Sequence, residues 1–145
     1  MDLTKEYPRS PKDQLNGIYS LPRVIDKAHA HNEGTLGEYD YDCPHDKPVL
    51  EFLGVSGDQF ANKVRDLKYD DNAISGWTKE LMAQKTPQDV EAFNKGRISW
   101  RPDNERSQTY FNGLREQVAP GRKDINTWFD VLDLDEKRPV YTPTV

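Results

Sequence analysis

Asp124-Ile-Asn-Thr-Trp-Phe-Asp-Val-Leu-Asp133 places Ile125, Trp128, Phe129 and Leu132 at i, i+3, i+4 and i+7. Residues so spaced line one face of an α-helix, and four large apolar side chains on that face predict a helix docked firmly on a core. Moving back along the chain, Ala119-Pro-Gly-Arg122 breaks an earlier helix that carries Tyr110, Phe111, Leu114 and Val118. Residues 94–104 are polar and read as a loop, with Trp100 as their one large apolar residue. Thr86-Pro87 opens a segment carrying Val90 and Phe93, and Asp70-Asp71 opens one carrying Ile74, Trp77 and Leu81.

The first half follows the same pattern. Ser56 with Gln59 makes a capping-box signal for a helix bearing Phe60, Val64 and Leu67, and Asp46 is positioned to cap a short helix through Leu53 that stops at Gly54. Pro22 suits a first helical turn, and the helix it opens runs through Val24, Ile25 and Ala28 to Gly34. Residues 34–44 contain two glycines, a proline and alternating aromatics, which predicts an extended loop or a short strand. The first twelve residues read as an irregular arm tethered by Leu3 and Tyr7, and residues 138–145 as an irregular tail. The expected fold is mainly α: one compact domain over 1–145, a bundle of five to seven short helices with irregular loops and little or no sheet. Phe60, Ile74, Trp77, Phe93, Phe111, Trp128 and Phe129 are its expected core.

Composition narrows the function classes. Three Trp, seven Tyr and five Phe supply enough core material to argue against full disorder, although 31% of the residues are charged. A net charge of −5, from 20 basic and 25 acidic residues, tells against a nucleic-acid partner, which would need clustered Lys and Arg. The apolar runs fall far short of the roughly 20 residues that cross a bilayer, so no membrane partner is expected. Cys43 is the single cysteine, and the first residues lack the apolar run of a secretory signal, so a reducing cytoplasm is the expected location.

Chemistry-bearing residues concentrate in the loop 34–46, which carries Glu38, Tyr39, Tyr41, Asp42, Cys43, His45 and Asp46. The preceding helix adds Arg23 and Lys27 on one face, with Asp26 beside them. Such a face could grip a carboxylate or phosphate, or could be spent on an ion-pair network with Glu38 or Asp46 that fixes the loop. Cys43 is a nucleophile if His45 or a cation activates it, and a small buried hydrophobe otherwise. His29 and His31 are two apart on a helix and point to different faces, so no metal ligand set is expected, nor any cofactor. Gly34-Thr-Leu-Gly37 lacks the Lys and Ser/Thr of a phosphate loop and is better suited to ending a helix. Arg122, Lys123 and Asp124 precede the last helix and serve either an anion or a cap.

Leu21-Pro-Arg-Val-Ile-Asp-Lys-Ala28, Gly34-Thr-Leu-Gly-Glu-Tyr39, Cys43-Pro44, Leu50-Glu-Phe-Leu-Gly54 and Ala119-Pro-Gly-Arg-Lys-Asp-Ile-Asn-Thr-Trp-Phe-Asp-Val-Leu-Asp133 occur in an order that resembles the DUF5069 family, a bacterial domain of unknown function. The resemblance implies one domain and a bacterial origin, but no activity, substrate or cofactor. Leu is the more usual family residue at the position of His45, which tells against a mechanism that depends on it.

Two functions are open on these residues. The first is a helical binding domain that takes a small anionic ligand or a protein partner at Arg23, Lys27, Glu38, Tyr39, Tyr41, His45 and Asp46. The second is a small cofactor-independent enzyme whose acid–base or nucleophilic groups come from Asp26, Glu38, Tyr39 and Cys43.

Overall fold

Asn16 and Gly17 both adopt positive φ, 53° and 75°, the conformation of a tight two-residue hairpin turn. They join β1 (Gln14–Leu15) to β2 (Ile18–Tyr19), paired antiparallel with Gln14 opposite Tyr19 and Leu15 opposite Ile18. The Asn-Gly dipeptide announces this hairpin, but each strand is too short for the alternation that marks a strand in sequence. Ser20, at φ 73°, turns the chain out of β2 into the first helix.

The computed structural model describes residues 1–140, among which this hairpin is followed by seven helices. They are α1 (Leu21–Glu33), α2 (Lys47–Leu53), α3 (Gly57–Asp66), α4 (Asp71–Leu81), α5 (Pro87–Ile98), α6 (Glu105–Val118) and α7 (Trp128–Asp135). Among the described residues the fold is mainly α, with only this minor sheet. No helix among the described residues is long and apolar enough to cross a membrane.

Local signals place most helix ends. Gly34, at φ 71°, closes α1, a conformation available to glycine at no steric cost. Ser56 and Gln59 form the complete capping box of α3, and the Asp70 and Thr127 side chains accept from the third residues of α4 and α7. Thr86 and Asp89 exchange backbone-to-side-chain bonds at the start of α5. That helix continues to Ile98, through residues whose polarity suggests a loop. Thr127 rather than the Arg122–Asp124 segment caps α7, so Ile125 precedes the helix. Ile125 is nonetheless fully buried, and inside the helix Val131 is buried where Leu132 is only half so.

The packing divides into two compact units, Met1–Asn94 and a second beginning at Lys95. In the first, α1 packs chiefly on α3, and Val24, Ile25, Ala28, Phe60, Val64 and Ile74 form its centre. Trp77 and Phe93 sit at the edge of that core, half-buried. In the second, Phe111, Ile125, Trp128 and Val131 form the core, with Trp100, Leu114 and Val118 around it. Arg97 is buried there, its guanidinium 4.9 Å from the Trp100 ring and 5.3 Å from the Phe129 ring. Residues 141–145, most of the expected irregular tail, lie outside the described residues.

Candidate functional site

Eight consecutive residues of α1, Leu21 through Ala28, are buried. A helix enclosed on nearly every side must find internal partners for Arg23, Asp26 and Lys27, because an unpaired buried charge costs several kcal/mol. Each has one. The Lys27 Nζ lies 3.0 and 2.9 Å from the two carboxylate oxygens of Asp46, with the side chains 4% and 1% exposed. Arg23 donates to the Arg9 carbonyl at 3.0 Å, and its guanidinium lies 5.8 Å from the centre of the Tyr39 ring. The Asp26 carboxylate accepts from the Arg9 backbone N–H and from its guanidinium, at 2.8 to 3.0 Å.

Asp46 precedes α2 in the cap position, but its side chain makes no capping bond. The carboxylate turns to the buried Lys27 ammonium instead, and the first N–H groups of α2 are satisfied by main-chain carbonyls, Lys47 donating to Cys43 and Val49 and Leu50 to Asp46. The two cations expected to grip an anion are thus committed inside the protein. Lys27 ties the loop 34–46 to α1, and Arg23 holds the arm and faces Tyr39.

The same pair draws in Cys43. The Lys27 ammonium donates to Sγ at 3.3 Å, and Sγ lies 3.6 Å from an Asp46 oxygen. Cys43 is half-buried, beside the enclosed ion pair. Tyr41 donates its hydroxyl to the Gly57 carbonyl at 2.7 Å, and its ring centre lies 4.9 Å from that of His31. His45 is half-buried, while Glu38, Asp40 and Pro44 are exposed. Asp42 lies directly over Gly57, where an added Cβ would come within 2.6 Å of its carboxylate. Asp42, Lys47, Glu51 and Ser56 rim a shallow hollow of about 230 Å³. His29 and His31 do face apart: His29 stacks on Tyr69 at 3.5 Å and pairs with Glu33.

Burial pushes the Tyr41 phenol above its ordinary range, and the carboxylates of Asp46, Asp42 and Asp58 push in the same direction. A raised folded-state value means the folded protein holds that proton longer than the unfolded chain. The resulting stability is present below about pH 10, the unfolded value, and is lost as the pH climbs above it. Urea denaturation at neutral and strongly alkaline pH is expected to show a steeper alkaline loss in wild type than in Tyr41→Phe. Equal losses would place the phenol in water.

The arm supplies what the sequence did not mark. Leu3 is buried and donates its N–H to the Thr35 carbonyl, as a tether should, but Tyr7 is 47% exposed. Arg9 is the anchor in its place, spanning Asp26 and Asp71, the latter at 2.7 Å. Arg9 and Asp71 are 62 residues apart, and no local spacing rule connects them.

The sequence pattern of a family described as Domain of unknown function (DUF5069) matches residues 5–138. The chain belongs to the DUF5069 family. No curated protein matches the chain. The DUF5069 match takes in Arg9, α1, the loop 34–46 and Asp71, so the Lys27–Asp46 pair and the Arg9 links to Asp26 and Asp71 lie inside the family domain. Among the described residues of this DUF5069 domain, no group of three or more His, Cys, Asp or Glu side chains is arranged to hold a metal ion.

Proposed function

We propose that this domain is a binding module that presents the loop 34–46 to a protein partner carrying basic groups. The observation that carries the reading is the division of charge at the loop. Its buried acid, Asp46, and the helix cations turn inward, while Glu38 and Asp40 stand exposed on a backbone held from beneath, and half-exposed Asp42 pairs with Lys47 at 3.1 Å. A rigidly supported loop with outward charge is a usual place for recognition. Tyr39 adds a half-buried ring to that surface. A small anionic ligand is less favoured, because Arg23 and Lys27 are already engaged. We further propose a bacterial cytoplasmic setting without nucleic-acid binding, on the single cysteine, the family resemblance and the net charge of −5.

Amide chemical-shift titrations with a short oligolysine peptide and with inorganic phosphate test the reading. The expected result is salt-sensitive shifts confined to the loop with the peptide, abolished in Glu38→Gln/Asp40→Asn. Phosphate shifts centred on Arg23 and Lys27, with none from the peptide, would overturn it in favour of an anion site.

The contact of Cys43 with Lys27 and Asp46 favours one second reading, a small enzyme using cysteine chemistry at the same loop. Asp26, which lies under the Arg9 clamp, is poorly placed as its base. Rapid, selective alkylation of Cys43 in the folded protein would support that reading.

A further inference from the structure

We propose that Lys27 and Cys43 form a reversible covalent cross-link on exposure to a peroxide, locking the loop 34–46 onto α1. The two reacting atoms, Nζ and Sγ, stand 3.3 Å apart in the reduced protein and are 16 residues apart in sequence. Three features make the pair chemically suited to this. Cys43 is half-buried rather than sealed in the core, so a small oxidant has only a thin cover to cross at this residue. Lys27 is almost fully enclosed, so its amine is held against the sulfur rather than sweeping through solvent. Asp46, 2.9 Å from Nζ, is a proton acceptor in direct contact with the ammonium.

The first step is attack of the Cys43 sulfur on one oxygen of hydrogen peroxide. The O–O bond breaks, sulfur is oxidised by two electrons to the sulfenic acid, and peroxide is reduced to water. In the second step Lys27 gives a proton to Asp46, and the freed nitrogen lone pair attacks the same sulfur. An S–N bond forms, the S–O bond breaks, and the oxygen leaves as water after taking up a proton. Sulfenic acids condense with nitrogen nucleophiles in this way when one is held close. The net change is thiol, ammonium and peroxide to a sulfenamide, two waters and one proton. Two equivalents of an added thiol reverse it, regenerating Cys43 and Lys27 and leaving the reagent as its disulfide. The proposal stands independently of any partner at the loop.

The experiment treats the full chain with hydrogen peroxide and follows it by intact mass and tryptic peptide mapping. The expected product is lighter than the starting protein by two hydrogens, with the Lys27 and Cys43 peptides joined, no cleavage after Lys27, and complete reversal by dithiothreitol. Lys27→Arg keeps the charge beside Asp46 but carries a guanidinium that stays protonated. In that variant the sulfenic acid is expected to persist and to be trapped by dimedone. If Lys27→Arg does not fold, the wild-type map decides alone. Cys43 found unoxidised in wild type, or oxidised to sulfenic or sulfinic acid with separate Lys27 and Cys43 peptides, would overturn the proposal.

Discussion

Lys27→Met is expected to destabilise the protein by about 3–5 kcal/mol at neutral pH, because it strands the Asp46 carboxylate in the interior. Asp46 is 1% exposed, and its bonds to Lys27 are the compensation for its lost hydration. Methionine fills much the same volume, so the loss is one of charge compensation rather than of packing. The double variant Lys27→Met/Asp46→Leu separates the two contributions. With both charges gone nothing is left unpaired, and stability should return to within about 1 kcal/mol of wild type or rise above it, as for other buried pairs replaced by apolar residues. Urea denaturation of the three proteins checks both parts. A single variant as stable as wild type would show that water reaches Asp46. A double variant as weak as the single one would show that the pair orders the loop in a way apolar packing cannot replace.

Trp128→Ala should cost about 3–5 kcal/mol, the usual range for deleting a buried tryptophan. Trp128 is 7% exposed and opens α7, and its ring meets Phe111 edge-on at 5.1 Å and Trp100 at 5.9 Å. Removing the indole leaves Phe111, Ile125 and Val131 facing a void, in a core too small to close over it without loss. The check is the urea midpoint of the variant, and a midpoint at the wild-type value would mean that the indole is exposed in solution.

Much of the helical layout is legible without the structure because helix ends are decided by short-range bonds. Ser56 with Gln59, Asp70, Thr86 and Gly34 each act within about four residues of the end they define. The misplaced boundaries have physical causes. α5 runs past Asn94 because its last turn buries Arg97 between aromatic rings, which offsets a polar composition. α7 starts at Trp128 because Thr127 caps it, which leaves Ile125 outside the helix, and Val131 is the fully buried residue where Leu132 is half-buried. The hairpin escapes a periodicity reading because two-residue strands have no period to detect.

The candidate site divides in the same manner. Sequence placed Arg23, Lys27, Glu38, Tyr39, Cys43 and Asp46 in one neighbourhood, since a helix and the loop that follows it are necessarily close. It could not tell which of them would pair, because that depends on which face of α1 the rest of the chain covers. Local patterning by itself determined a mainly helical protein with a charge-rich loop after its first helix: caps, stops and apolar stripes act over a few residues and leave few alternatives. Only the tertiary structure decided that α1 is enclosed, that Asp46 leaves its cap for Lys27 19 residues away, and that Arg9 reaches Asp26 and Asp71 across 17 and 62 residues. Burial is a property of the whole assembly, and a buried charge takes whatever opposite charge the fold brings near, whatever its distance along the chain.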